Sequence, residues 1–161
     1  MARQEEERED LLAEATALVE RVSLRIAGYE EEVVVGFRRD QSASIYFGGD
    51  PVYQFTSQGE LRRAFVGNLL YKAREGRLVS LRRERSQEAT TLVSRELDPA
   101  ASQSFLQTMR ANLERLHDAL AKCNFSIVGQ VPETMDLISR VCCWLDEFAD
   151  RVEIAQSPRA C

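Results

Sequence analysis

The sequence lacks the residues and spacings on which most recognisable catalytic and metal sites depend. Its 161 residues include one histidine and four cysteines, with no C-x-x-C pair among them. No serine elbow, H-E-x-x-H, P-loop or glycine-rich dinucleotide turn occurs. Cys142 and Cys143 are adjacent, so on a helix their side chains would point about 100° apart, which suits one metal ion poorly. We therefore predict no catalytic residue, no metal site and no cofactor, and we favour a non-enzymatic protein.

Long apolar stretches are also missing. No run approaches the ~20 residues of a membrane-spanning helix. The first residues, MARQEEEREDLL, are acidic and contain no apolar core of a secretory signal. We therefore expect a cytoplasmic protein without a membrane partner, in which thiols stay reduced. The composition, 44% hydrophobic and 29% charged, is that of an ordinary globular chain and suits one domain spanning 1–161.

Charge is distributed unevenly, although the net charge is only −5. Residues 1–32 carry four basic and ten acidic residues, whereas residues 33–97 carry eleven basic and seven acidic ones. Residues 98–161 carry six basic and nine acidic residues. The acidic start of the chain therefore offers pairing partners for a basic centre.

The centre of the chain, residues 33–97, predicts an antiparallel sheet. Short runs of aromatic and β-branched residues precede turns that contain glycine, as in VYQF before Gly59 and LLYKA before Gly76. Strands joined by so few residues must be antiparallel neighbours, because a parallel crossover needs a dozen or more. The pattern predicts a β-meander of about seven strands, either open or curled into a partly open barrel.

Amphipathic repeats predict helices at both ends of the chain. Residues 1–28 predict one long N-terminal helix, with apolar residues at three- and four-residue steps and acidic residues in its first turns. Residues 98–156 predict a pair of C-terminal helices, and residues 157–161 a flexible tail. The fold class that follows is α+β, with helices segregated to the chain ends.

Two local signals place the C-terminal helices. Asp98 followed by Pro99 is a favourable N-cap and first position for the first helix, and Pro132 opens the second. The connector Phe125–Gly129 between them has the composition of a short strand.

The strongest candidate site is a group of cations in the predicted strands. Its members are Arg62, Arg63, Lys72, Arg74, Arg77, Arg82, Arg83 and Arg85, with aromatic support from Tyr53, Phe55, Phe65 and Tyr71. Cations bind phosphates and aromatic rings stack on unpaired bases, so a nucleic-acid surface is one interpretation. However, side chains alternate along a strand, so the adjacent pairs of arginines should divide between the two faces. The same cations can instead be solvated or paired with the acidic N-terminal helix.

Two further residues carry reactive side chains. His117, the single histidine, lies beside the apolar stripe of its predicted helix, which favours a structural role. Cys143 is expected on the polar face of the last helix, where nearby acids argue against a nucleophilic thiolate.

Besides an enzyme whose site no recognised motif marks, two functions remain open from the sequence. The first is a binding or assembly module whose sheet or N-terminal helix contacts a protein partner or a second copy of the chain. The second is a nucleic-acid-binding domain that uses the basic strands 60–85.

Overall fold

The computed structural model describes residues 17–48, 51–66, 69–85, 87, 89–129 and 134–156. This part of the chain is α+β, with nine strands and two helices. In chain order these are β1 (Glu20–Ile26), β2 (Val33–Phe37), β3 (Ala43–Phe47), β4 (Val52–Phe55), β5 (Leu61–Val66), β6 (Leu69–Arg74), β7 (Arg77–Arg85), β8 (Thr90–Glu96), α1 (Pro99–Ala121), β9 (Phe125–Ile127) and α2 (Thr134–Phe148).

The strands form one antiparallel sheet in the order β8-β7-β6-β5-β4-β3-β2-β1-β9, which does not close on itself. Strands β2 to β8 follow one another as neighbours, so the predicted seven-strand meander is confirmed. Glycines at two of its turns have positive φ, +85° at Gly59 and +78° at Gly76, a conformation that side chains with a Cβ disfavour.

The prediction of one helix over residues 1–28 is wrong where it can be compared with the structure. Residues 20–26 form strand β1, and residues 1–16 lie outside the described part. Val22, Leu24 and Ile26 are buried while Arg21 and Arg25 are exposed, which is the two-residue period of a strand. In so short a segment, several apolar positions fit both the three- and four-residue steps of a helix and the two-residue steps of a strand. The β-branched residues favour the strand.

The C-terminal half follows its predicted helices more closely. Helix α1 begins after Asp98, whose Oδ1 accepts a hydrogen bond from the backbone N–H of Ala101 at 2.8 Å. Helix α2 begins at Thr134, and Pro132 lies outside the described residues. The connector between the helices forms β9, which pairs with β1 and adds a second strand to the predicted meander.

Both helices pack on the same face of the sheet, which we call the inner face. Alternate strand residues such as Val35, Ile45 and Tyr53 form one core cluster with Met109 and Leu113 of α1 and with residues of α2. Burying a large apolar side chain contributes roughly 1.5–3 kcal/mol, so this layer is the main source of stability. We call the opposite face of the sheet the outer face.

The segment after α2 returns to the sheet and is bonded to it. The N–H of Leu61 donates to the carbonyl of Glu153 at 2.7 Å, and the N–H of Ala155 donates to the carbonyl of Leu61 at 2.9 Å. Among the described segments, neither helix is long and apolar enough to cross a membrane.

Candidate binding surfaces of the sheet

One row of side chains crosses the outer face from β2 to β6. The register places Gly36, Ser44, Gln54, Arg63 and Lys72 opposite one another in turn. Their neighbours along each strand belong to the inner core, so these five residues point away from the helices. The side chains along this row are polar.

A β-bulge in β5 brings two arginines to this face. Gln54 pairs with Arg63 whereas Phe55 pairs with Leu61, so Arg62 is an extra residue in β5. Leu61 and Ala64 are both 0% exposed in the inner core, while Arg62 and Arg63 between them are both half-buried. The expectation that these two arginines divide between the faces is therefore wrong: both point outward.

Polar contacts connect the arginines to the row. Nε of Arg63 donates to Oε1 of Gln54 at 2.6 Å. Nη2 of Arg38, which follows β2, donates to Oγ of Ser44 at 2.7 Å. At the β2–β3 turn, Oδ1 of Asp40 accepts from the N–H of Ser42 at 2.9 Å and from its hydroxyl at 2.6 Å.

The electrostatics of this cluster follow from burial and from these bonds. Burial lowers the pKa of Arg38, and the positive charge of Arg62 acts in the same direction. Hydrogen bonds from Ser42 lower the pKa of Asp40, and Arg38 and Arg62 add to that effect. Arginine stays protonated in proteins, so among the described residues the charges of Arg38 and Arg62 both act on the carboxylate of Asp40. The sequence analysis missed Arg38 and its partners Ser42 and Ser44. The bulge had one local signal, the two adjacent arginines between apolar residues in LRRA.

The structure divides the remaining predicted cations. Lys72, Arg74 and Arg77 are exposed on the outer face, where Nη1 of Arg77 lies 2.9 Å from Oε1 of Glu96. Arg82 stands opposite Val93 on the other face of the ribbon that β7 and β8 form. Arg83 and Arg85 belong to β7, but their side chains lie outside the described part.

The predicted aromatic residues mostly belong to the inner face. Tyr53 and Phe55 are fully buried in the core. The hydroxyl of Tyr53 also accepts a hydrogen bond from Nδ2 of Asn112 on α1. The ring of Tyr71 packs 4.9 Å from that of Phe105, again on α1. Phe65 alone of the four lies on the outer face, where it packs with Val52, Leu70 and Leu81. Three of the four rings are thus separated by the sheet from Arg62 and Arg63.

Strand β8 forms one end of the described sheet, where it pairs with β7. The N–H of Leu97 donates to the carbonyl of Leu78 at 2.8 Å. Hydrogen-bonded pairs alternate along an antiparallel ladder, so Arg95, Val93 and Thr91 also bond toward β7. The backbone N–H and C=O groups of Leu92, Ser94 and Glu96 consequently point toward the second edge, where no described strand lies.

His117 belongs to α1 and Cys143 to α2. The ring nitrogens of His117 lie 3.8 Å from Oδ1 of Asp118 and 3.9 Å from Oδ1 of Asp146, which is beyond hydrogen-bonding distance. Cys143 is exposed beside an open groove of about 400 Å³ that Phe37, Arg140 and Trp144 help to line.

The groove beside Cys143 is held by structural contacts. The guanidinium of Arg140 stacks over Phe37, 5.2 Å from the ring centroid, and also bonds to Glu20, whose pKa it lowers. Burial raises the pKa of the neighbouring Cys142 thiol. Within the described residues, no group of three or more His, Cys, Asp or Glu side chains is placed to hold a metal ion.

Comparison with known proteins gives no relative. No family model matches the chain, and neither a curated protein nor a solved structure matches it. A function can therefore be inferred only from the geometry of the sheet.

Proposed function

We propose that this protein is a non-enzymatic assembly module in which two copies join through their β8 strands. The observation that carries the proposal is the edge of β8 that no described strand occupies. This strand has seven residues, and its outward-facing backbone groups have the alternation that a further antiparallel strand requires. Thr91, Ser94, Arg95 and Glu96 are exposed, so these side chains leave room for an incoming strand.

The sequence of β8 suits pairing with itself. A two-fold axis at Val93 places Leu92 opposite Ser94 and Thr90 opposite Glu96, so outward backbone groups meet outward backbone groups. Arg95 then faces Thr91, and no like charges stand opposite each other, an arrangement that would be destabilising. All seven residues take part, and a symmetric pair of this kind closes as a dimer.

The two edge strands of the described sheet differ in length and composition, and the difference favours β8 as the strand that pairs. Proteins prevent an edge strand from pairing with another chain by keeping it short or by giving it proline, lysine or a bulge. Strand β9, at the opposite end, has three residues, whereas β8 has seven and contains neither proline nor lysine. An edge of this length left open is a template for pairing, so its occupation by a second copy also protects the protein from aggregation.

Light scattering after size-exclusion chromatography tests the proposal. We expect the full chain to elute at twice the 18.3 kDa mass of one copy. Ser94→Pro removes one outward N–H and leaves the ladder with β7 intact, so it should give the monomer, whereas Ser94→Thr keeps that N–H and should stay dimeric. A wild-type monomer at high protein concentration, or a Ser94→Pro dimer as tight as wild type, would overturn pairing through β8.

A second candidate function is nucleic-acid binding on the outer face, and the bulge in β5 favours it because it places Arg62 and Arg63 side by side. Affinity for a single-stranded oligonucleotide should then fall with salt. Arg62→Ala with Arg63→Ala should reduce the salt slope by roughly 1 for each phosphate that is no longer bound. Arg82→Ala, on the other face, is the matched control and should change little. Absence of binding at low salt would end this candidate.

A further inference from the structure

The groove beside Cys143 lies between α2 and two turns of the sheet, and its lining residues all belong to the described part of the chain. Most come from α2, while Phe37 ends β2, and Gln41 and Ser57 belong to the β2–β3 and β4–β5 turns. Its volume of about 400 Å³ is in the range of pockets that hold small molecules. We propose that this groove binds a small zwitterionic molecule with an apolar body about 10 Å long, such as a tripeptide with a central aromatic residue.

The groove has one charge of each sign on the same side of α2. Arg140 and Glu147 both line it and are seven residues apart, which is close to two helical turns. The two positions are therefore about 10 Å apart along the helix axis and face the same way. Three residues of extended peptide also span about 10 Å. A bound tripeptide can thus place its carboxylate at Arg140 and its ammonium group at Glu147.

Both charged groups keep capacity for a ligand. Their side chains are exposed, 45% for Arg140 and 64% for Glu147. Arg140 donates to Glu20 through Nη1, and a guanidinium has further donors on Nη2 and Nε. The carboxylate of Glu147 lies 3.9 Å from Arg151, whose Nε and Nη2 donate to the backbone carbonyl of Glu147. The opposite charges also make a polyanion or a polycation a poorer ligand than a molecule that carries both.

Aromatic rings line the groove between these charges. Trp144 packs edge-on against Phe37, with ring centroids 6.3 Å apart, and the guanidinium of Arg140 stacks over Phe37 at 5.2 Å. Trp144 is only 9% exposed, and its Nε1 has no hydrogen-bond partner among the described residues. A buried donor without a partner is costly, and a peptide carbonyl is a candidate acceptor for it. The middle of the groove therefore suits an aromatic side chain flanked by peptide groups.

Fluorescence provides a direct test, because Trp144 is the single tryptophan of the chain. We expect Gly-Phe-Gly with free termini to change the emission of the full-length protein in a saturable way. Gly-Gly-Gly keeps both charges but lacks the ring, and Gly-Phe-Gly with an acetylated amine and an amidated carboxylate lacks both charges. Both should bind more weakly. Emission that does not respond to Gly-Phe-Gly, or affinities equal for the three peptides, would overturn the proposal.

One ion pair can be tested from both of its sides. Glu147→Gln should weaken binding of Gly-Phe-Gly about two- to fivefold, the range for an exposed ion pair. Acetylation of the peptide amine alone should have a similar effect, and the two changes together should cost little more than either one, because they remove the same contact. Asp146→Asn removes a charge from the same helix outside the lining and should leave the affinity unchanged. Full additivity, or an equal effect of Asp146→Asn, would contradict the assigned contact.

Two exposed cysteines locate the bound peptide. Cys143 lines the groove, whereas Cys123 follows α1 and is not part of the lining. We expect saturating Gly-Phe-Gly to slow the alkylation of Cys143 by iodoacetamide and to leave that of Cys123 unchanged, as measured by mass spectrometry. Equal slowing at both residues, or none at Cys143, would show that the peptide binds elsewhere. These measurements do not involve β8, so their outcome is independent of the dimer.

Discussion

Gly36 allows the segment that leads into β1 to pack closely against β2. An added Cβ would meet the backbone oxygen of Glu20 at 2.4 Å, and backbone in a strand cannot move as easily as the end of a side chain. We expect Gly36→Ala to shift β1 and to lower the free energy of unfolding by about 1–3 kcal/mol, the usual range for overpacking. Denaturation in urea measures this change.

Gly28→Ala provides the comparison for this variant. Nothing lies within 4 Å of a Cβ at Gly28, so its cost comes from φ of +90° alone, and left-handed backbone costs roughly 1–2 kcal/mol for other residues. Both variants should lower the free energy of unfolding, but Gly36→Ala should also speed hydrogen exchange in β1 and β2. Unchanged exchange in these strands would contradict the steric argument.

Asp40 makes the stability of the β2–β3 turn depend on pH. Hydrogen bonds from Ser42 lower its pKa in the folded state, so its contribution is present above its unfolded pKa of about 3.9 and is lost as pH falls through the folded value. Asp40→Asn should cost about 0.5–1 kcal/mol at pH 7, a modest amount because the carboxylate is exposed.

The difference between wild type and Asp40→Asn should shrink as pH falls through the lowered folded-state pKa of Asp40, because both side chains are neutral below it. Urea denaturation at neutral and at acidic pH gives both values. An equal difference under the two conditions would show that the carboxylate charge does not act as described.

At the scale of elements, the start of α1 depends on Asp98. Asp98→Ala removes the acceptor for the N–H of Ala101 and should cost about 1 kcal/mol of stability. Asp98→Asn keeps an acceptor and should cost less. Thermal unfolding of both variants measures this difference, and equal destabilisation would argue against the side-chain cap.

The elements that the sequence predicted well are those with strong end signals. The meander followed from glycine turns such as the one at Gly59, and α1 from its Asp98–Pro99 start. Strand β1 was missed because its apolar residues also fit helical steps over seven positions. The composition of residues 125–129 indicated a short strand, which is β9. Its pairing with β1 joins distant parts of the chain, so no local pattern predicts that pairing.

The candidate site was predicted in part. Cations in β5 to β7 were recognised, but the faces they occupy depend on a single extra residue at Arg62, which reverses the alternation assumed for a regular strand. Arg38 was missed because it lies outside the basic run and joins it only through the register of β2, β3 and β4.

At the scale of the whole molecule, the sheet separates three kinds of surface. Helices cover the inner face, cations and an apolar cluster occupy the outer face, and an open strand forms one end.

The pairing of β1 with β9 also has a consequence for the order of folding. Leu24 stands beside Ile127, so this ladder joins segments about one hundred residues apart in the chain. Closing so long a loop costs more entropy than closing a hairpin, and contacts of high sequence separation slow folding. We therefore expect the hairpins of the meander to form early from local contacts, and β1 and β9 to meet late, after α1 has docked on the sheet.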